Sequence, residues 1–199
     1  FCCFCGVVMV GVAIVNWAAA FFVCCVGEGA HCPDFALGLV WAATIGRMFS
    51  VCIQPQDFDV STELARLHAS NAQVGAACFF VGLVRDRNEG AAVASMELEH
   101  YPGMTEKSIA AIIERARQRF GIAAARVIHR VGLLQPLDQI VLVAVTSAHR
   151  GASFAACEFI MDYLKSEAPF WKKELTPQGT RWVDARVSDE MALKRWEQL

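Results

Sequence analysis

Charge is absent from residues 1–27, FCCFCGVVMVGVAIVNWAAAFFVCCVG. The run is long enough to cross a bilayer. Yet no lysine or arginine stands beside it before Arg47, so the positive flank of a transmembrane anchor is missing. A secretory signal would need a basic n-region, which is also missing. The chain opens on Phe1, and its composition changes abruptly near Met48. Residues 1–47 are therefore expected to be an apolar, Cys-rich segment that is extraneous or disordered, with a membrane segment as the alternative. Residues 48–199 are expected to form the working domain.

Other absences narrow the function. The net charge is −2 over 199 residues, so no basic excess points to nucleic acid. Seven of the nine cysteines lie at positions 2, 3, 5, 24, 25, 32 and 52. The body holds no CxxC with a matching second pair and no spaced His/Cys set, so no metal site is expected. Cys78 and Cys157 sit in apolar runs and read as small core residues. Nothing resembles a disulfide framework, which suggests a reducing, cytoplasmic setting. There are no internal repeats and no low-complexity runs. No glycine-rich phosphate loop of the dinucleotide or Walker type is present.

What is present is a soluble pattern of alternating elements. Phe49–Gln54 and Ala76–Val84 read as strands. Val60–Ala69 reads as a helix with Ser61 as its cap. Arg85 to Gly90 form a polar turn, with Arg85 at the mouth of the strand. Val93–His100 alternates apolar and polar, as a half-exposed strand does. Thr105 is expected to cap a helix to Phe120, whose Ile109, Ile112, Ile113 and Ala116 share one face. Ala125–Val131 and Ile140–Val145 are strands, with a turn at Gln135–Asp138 between them. Arg181–Val183 is a last short strand, and Ser188–Gln198 a last helix. Strands in pairs with helices between them argue an α+β fold with mixed or antiparallel sheet.

The stretch from Thr146 to Glu174 organises the chain. A helix is expected to begin near Ser153 and close at Lys165. Phe154, Cys157, Ile160, Met161 and Leu164 form its apolar face. His149 and Arg150 stand just before it, where a helix prefers an anion. Free N–H groups beside an arginine and a histidine make a phosphate or carboxylate site; the alternative is a solvated loop pair. Pro169 ends the helix. If the chain folds back there, Lys165, Lys172 and Lys173 converge. Crowded cations disfavour one another's charge, and such a lysine can act as nucleophile or general base. The alternative for Lys165 is simple dipole complementarity in a last turn.

FFVGLVRDRN (79–88), LEHYPGMTEKSI (98–109), VIHRVGLL (127–134), VTSAHRGASFAAC (145–157), MDYLKSEAPFWKKE (161–174) and RWVDAR (181–186) carry a family resemblance. Together they resemble the large, catalytic subunit of molybdopterin synthase, over nearly all of Met48 to Leu199. Residues 1–47 have no counterpart. The resemblance implies an α/β hammerhead-like fold with additional antiparallel strands, and a sulfurtransferase. Such enzymes convert cyclic pyranopterin monophosphate (precursor Z) into molybdopterin by building its dithiolene, with no cofactor of their own. Sulfur comes from the C-terminal Gly-Gly thiocarboxylate of a small ubiquitin-like subunit. Two large subunits form the centre of a heterotetramer. By the same resemblance Lys165 and Lys172 are catalytic. Arg85, His149, Arg150, Lys173, Glu174 and Arg186 bind substrate, with Lys173 and Glu174 along one pocket wall and Arg186 reaching from the dimer partner. Leu137 departs from the family, which has glycine in that turn. A non-catalytic module that docks a ubiquitin-like tail, and a membrane-anchored form of the enzyme, are the competing readings.

Overall fold

The computed structural model describes residues 48–69, 71–88, 90–177, 179–183 and 187–197. The segment 1–47, and with it the expectation placed on it, lies outside them. Among the described residues no helix is long and apolar enough to cross a membrane.

The domain is α+β. A first sheet has the strand order β1-β6-β8-β2, from β1 (Phe49–Gln54), β6 (Ala124–Arg130), β8 (Gln139–Ser147) and β2 (Ala76–Leu83). β1 runs parallel to β6, and the other pairs are antiparallel. A second, antiparallel sheet has the order β10-β9-β5-β7, from β10 (Gly179–Val183), β9 (Phe170–Thr176), β5 (Ser95–His100) and β7 (Gly132–Leu134). A short hairpin, β3 (Arg87–Asn88) with β4 (Ala91–Ala92), lies between β2 and β5 in sequence.

The first sheet is covered on both faces. Helices α2 (Met104–Phe120) and α3 (Arg150–Glu167) pack Ile109, Ile112, Ile113, Ala116, Ala156 and Ile160 against Val127, Val143 and Val145. Helix α1 (Val60–His68) places Leu67 against Ile128, Leu142 and Ala144 on the opposite face. Truncating any fully buried isoleucine here to alanine would cost about 2–5 kcal/mol. A last helix, α4 (Val187–Glu197), packs on α3 through buried Trp196, edge-on to Phe159 at 5.3 Å.

Several local expectations are corrected. Asp59 rather than Ser61 caps α1, accepting from Thr62 N at 2.7 Å; it stands two residues earlier, where the backbone is still extended, whereas Ser61 is already inside the helix. Gly103, with φ 80°, precedes α2, and its N–H donates to Glu106 Oε2 at 2.6 Å. Thr105 is buried inside the helix instead, donating to Tyr101 and Pro169 carbonyls at 3.1 Å. α3 begins at Arg150 and runs two residues past Lys165. Its buried face runs through Ser153, Ala156, Cys157, Ile160 and Leu164, while Phe154 is 61% exposed. Strand β9 occupies a segment that the sequence left without an element.

Candidate functional site

β9 decides where the basic pair after Pro169 points. Side chains alternate across a strand. Phe170, Lys172, Glu174 and Thr176 face inward, whereas Trp171 and Leu175 are each 48% exposed on the outer face. Lys173 belongs to that outer face. Its Nζ lies 3.5 Å from Glu97 and 3.6 Å from Glu99, on β5, and 4.6 Å from the centre of the Trp182 ring. The expectation that Lys173 and Glu174 share one pocket wall is therefore corrected: the two-residue period sends them to opposite sides of the sheet.

Inside, Glu174 is the hub. Its carboxylate is only 2% exposed. It accepts from Lys172 Nζ at 2.8 Å, from Asn88 Nδ2 at 3.0 and 3.1 Å, and from Arg181 Nη2 at 3.2 Å. Arg85 Nη2 donates to Asn88 Oδ1 at 3.2 Å. Burial pushes the Glu174 carboxyl up, but the hydrogen bonds from Lys172, Asn88 and Arg181 outweigh it and hold the group below its ordinary value. Val84, Arg85, Asn88, Met96, Lys172 and Glu174 line a small cleft of about 40 Å³. One carboxylate thus faces three cationic side chains, directly or through Asn88. The cleft keeps a net positive charge, suited to an anionic ligand.

His149 and Arg150 form a second cluster. Ser147 Oγ donates to the His149 carbonyl at 2.6 Å and meets Ser153 Oγ at 2.8 Å. These bonds fix the chain's entry into α3. Gly75 supports the same turn: its N–H donates to the Ser147 carbonyl at 3.0 Å. A Cβ at Gly75 would meet the Ala148 carbonyl oxygen at 2.4 Å, so only glycine fits. His149 is the N-cap in extended conformation, makes no side-chain cap bond, and no acid occupies the first turn. The exposed His149 and Arg150 side chains and the helix N-terminus together suit an anion.

Lys165 stands at the other end of the same helix. Fifteen residues of α-helix separate it from Arg150, a span of about 22 Å. His149 and Arg150 thus stand at the opposite end of α3 from Lys165, and of the three lysines expected to converge, Lys173 points away from Lys172. Lys165 lies with Lys172 on either side of the reversal at Pro169, where the Ala168 carbonyl accepts from Phe170 N at 2.9 Å. Its Nζ lies 3.8 Å from Asp189 Oδ1 on α4. Arg186 lies outside the described residues. Sequence reasoning missed Asn88, Arg181 and Asp189. Asn88 meets Glu174 across 86 residues, and no local pattern signals such a partner. Arg181 faces Glu174 in the β9–β10 register, which requires knowing that β9 is a strand.

The chain matches known proteins over the same region. The family model described as MoaE protein matches residues 53–167. The molybdopterin synthase catalytic subunit of Ralstonia nicotianae is 64% identical over 149 residues, which cover 75% of this chain and 85% of that protein. The solved molybdopterin biosynthesis MoaE protein from Burkholderia ambifaria has a TM-score of 0.66 at 56% identity, over 75% of this chain and 99% of that one. A crystal structure of molybdopterin synthase from Staphylococcus aureus has a TM-score of 0.61 at 30% identity, over 69% and 97%.

Proposed function

The chain belongs to the MoaE protein family, and from that premise we propose that it is the catalytic subunit of a molybdopterin synthase. It transfers sulfur from the C-terminal thiocarboxylate of a small ubiquitin-like subunit to cyclic pyranopterin monophosphate, forming the dithiolene of molybdopterin. The observation that carries this reading is the Lys172 ammonium held in a small positive cleft by a buried carboxylate, next to Arg85. A monophosphate and a carboxylate-like tail both need cations, and a fixed ammonium can stabilise the charge that develops as sulfur is exchanged. Lys165, at the same reversal of chain, is the second catalytic group, and it acts as nucleophile or as acid and base.

Arg150 and Lys165 stand towards opposite ends of α3, their backbones about 22 Å apart. The separation supports a homodimer, the core of a heterotetramer, in which His149 and Arg150 of one copy complete the lysine cleft of its partner. Arg186 belongs to the same assembly reading. No metal or nucleic acid takes part, and the setting is the cytoplasm.

The test uses the full chain with a thiocarboxylated small subunit and cyclic pyranopterin monophosphate, and measures molybdopterin. Product should form with the wild type and fall by at least about a hundredfold in Lys165→Ala. Small-subunit binding without any product would instead support a docking module. Mixing Lys165→Ala with Arg150→Ala should restore measurable turnover, because a mixed dimer keeps one intact site. No recovery on mixing would refute the shared site.

A further inference from the structure

Glu158, Asp162 and Lys165 recur along α3 at spacings of four and three, which stacks them on one side of the helix. α4 lies along that side and runs the opposite way. At its C-terminal end Arg195 Nη1 donates to Glu158 Oε1 at 2.8 Å, and Arg195 Nη2 donates to Asp162 Oδ2. Trp196 Nε1 donates to the same Asp162 oxygen at 2.8 Å. The Trp196 ring is 6% exposed and sits edge-on to Phe120 and Phe159. Its carbonyl accepts from Arg119 Nη1 at 2.8 Å. This end of α4 is therefore fixed in register on α3. At the other end the same register carries the Asp189 carboxylate to 3.8 Å from Lys165 Nζ.

We propose that Asp189 is a positioning residue for Lys165, with α4 as the strut that sets its place. The inference rests on the reading of Lys165 as a group that acts in sulfur transfer. The Lys165 side chain is 54% exposed and Asp189 only 21%. A four-carbon stem with that much freedom sweeps a wide volume unless its head is tied. Asp189 ties it from a backbone that Trp196 and Arg195 hold still. Alignment of a reacting group is worth far more in rate than the tie is worth in stability. Asp189 also lies in the first turn of α4, where any acid complements the dipole, so the test must separate the two effects.

Asp189→Asn keeps the shape and removes the charge. Asp189→Glu keeps the charge, and with it the dipole effect. With the full chain, the thiocarboxylated small subunit and cyclic pyranopterin monophosphate, Asp189→Asn should lower kcat about fivefold with KM unchanged, a loss of about 1 kcal/mol in transition-state stabilisation. Asp189→Glu should recover most of it. Independently of turnover, acylation of Lys165 by an N-hydroxysuccinimide ester is followed by mass spectrometry, with exposed Lys194 as the reference. It should run several-fold faster in Asp189→Asn than in the wild type. Unchanged acylation would overturn the pairing. Faster acylation with unchanged kcat would overturn the positioning role. Full turnover in Lys165→Ala would instead remove the reading on which the proposal rests, so the two failures are distinguishable.

Discussion

Replacing Glu174 by glutamine removes one charge and almost no volume. The wild-type carboxylate is 2% exposed, and its contacts run from 2.8 Å to Lys172 out to 3.2 Å to Arg181. Unit charges at the Lys172 distance attract by about 6 kcal/mol at an effective dielectric of about 20, before lost hydration is counted. The two cationic side chains are 33% and 36% exposed, so solvent offsets much of that attraction. Deleting the anion still leaves two cations in a partly dry cleft, and the glutamine NH₂ meets further donors. The expected cost is about 3 kcal/mol at neutral pH, which in a domain of roughly this size lowers Tm by about 6–12 °C. A carboxyl held below its ordinary value stabilises the native state fully above the unfolded value. That contribution is lost as pH falls through the native value. The difference between wild type and Glu174→Gln is thus full at neutral pH and closes only as pH drops below the ordinary glutamate value of 4.5. Urea unfolding followed by far-UV circular dichroism across a pH series measures it. A difference under about 0.5 kcal/mol at neutral pH, the range of ordinary surface changes, would refute the hub. So would a difference that does not close in acid.

Three further outcomes are expected. Leu137 has φ 77° and is 83% exposed, so Leu137→Gly loses little packing and relieves about 1–2 kcal/mol of left-handed strain, against about 0.5–1 kcal/mol of extra chain freedom when unfolded; net stabilisation should appear in chemical denaturation, and a loss of stability would contradict the strain. Burial holds His129 neutral, pushing it from 6.5 down to about 4, although its bond to the Arg130 carbonyl opposes this. The unfolded chain then binds more protons between those values, so stability falls as pH drops from 6.5 to 4 by up to about 3 kcal/mol; His129→Phe, which keeps the stack on Phe170, should flatten that slope, and an unchanged slope would assign it to other groups. Gly75→Ala forces the Ala148 carbonyl away from a 2.4 Å contact, which should cost about 1–3 kcal/mol and displace His149 and Arg150 enough to depress molybdopterin formation; unaltered stability and turnover would show that the turn yields freely.

The α+β class and most elements were legible because burial writes a local period into the chain. Ile109, Ile112, Ile113 and Ala116 repeat at helical spacing, and all four are buried on α2. The same signal failed at Phe154, which matches the α3 pattern yet is exposed, because it lies at the edge of the stripe that the sheet covers. Leu137 was recognisable as a departure in its turn, and the turn persists with Asp138 N donating to the Gln135 carbonyl at 3.0 Å.

Most of the candidate residues could be named from the run SAHR and the run LKSEAPFWKKE, with Arg85 and Arg186 from two other runs, but not arranged. Lys172 and Lys173 are neighbours in sequence, and only the β9 pairing with β5 and β10 turns one toward Glu174 and the other toward Glu97 and Glu99. Asn88 and Arg181 join the cleft because strands distant in the chain close around it. Asp189 reaches Lys165 because Trp196, at the far end of α4, chooses the register. Hydrophobic period acts within a segment, so the chain by itself determined its helices, most of its longer strands and most of the candidate residues. Ion pairs and strand registers act between segments, so only the tertiary structure decided which of those groups face one another.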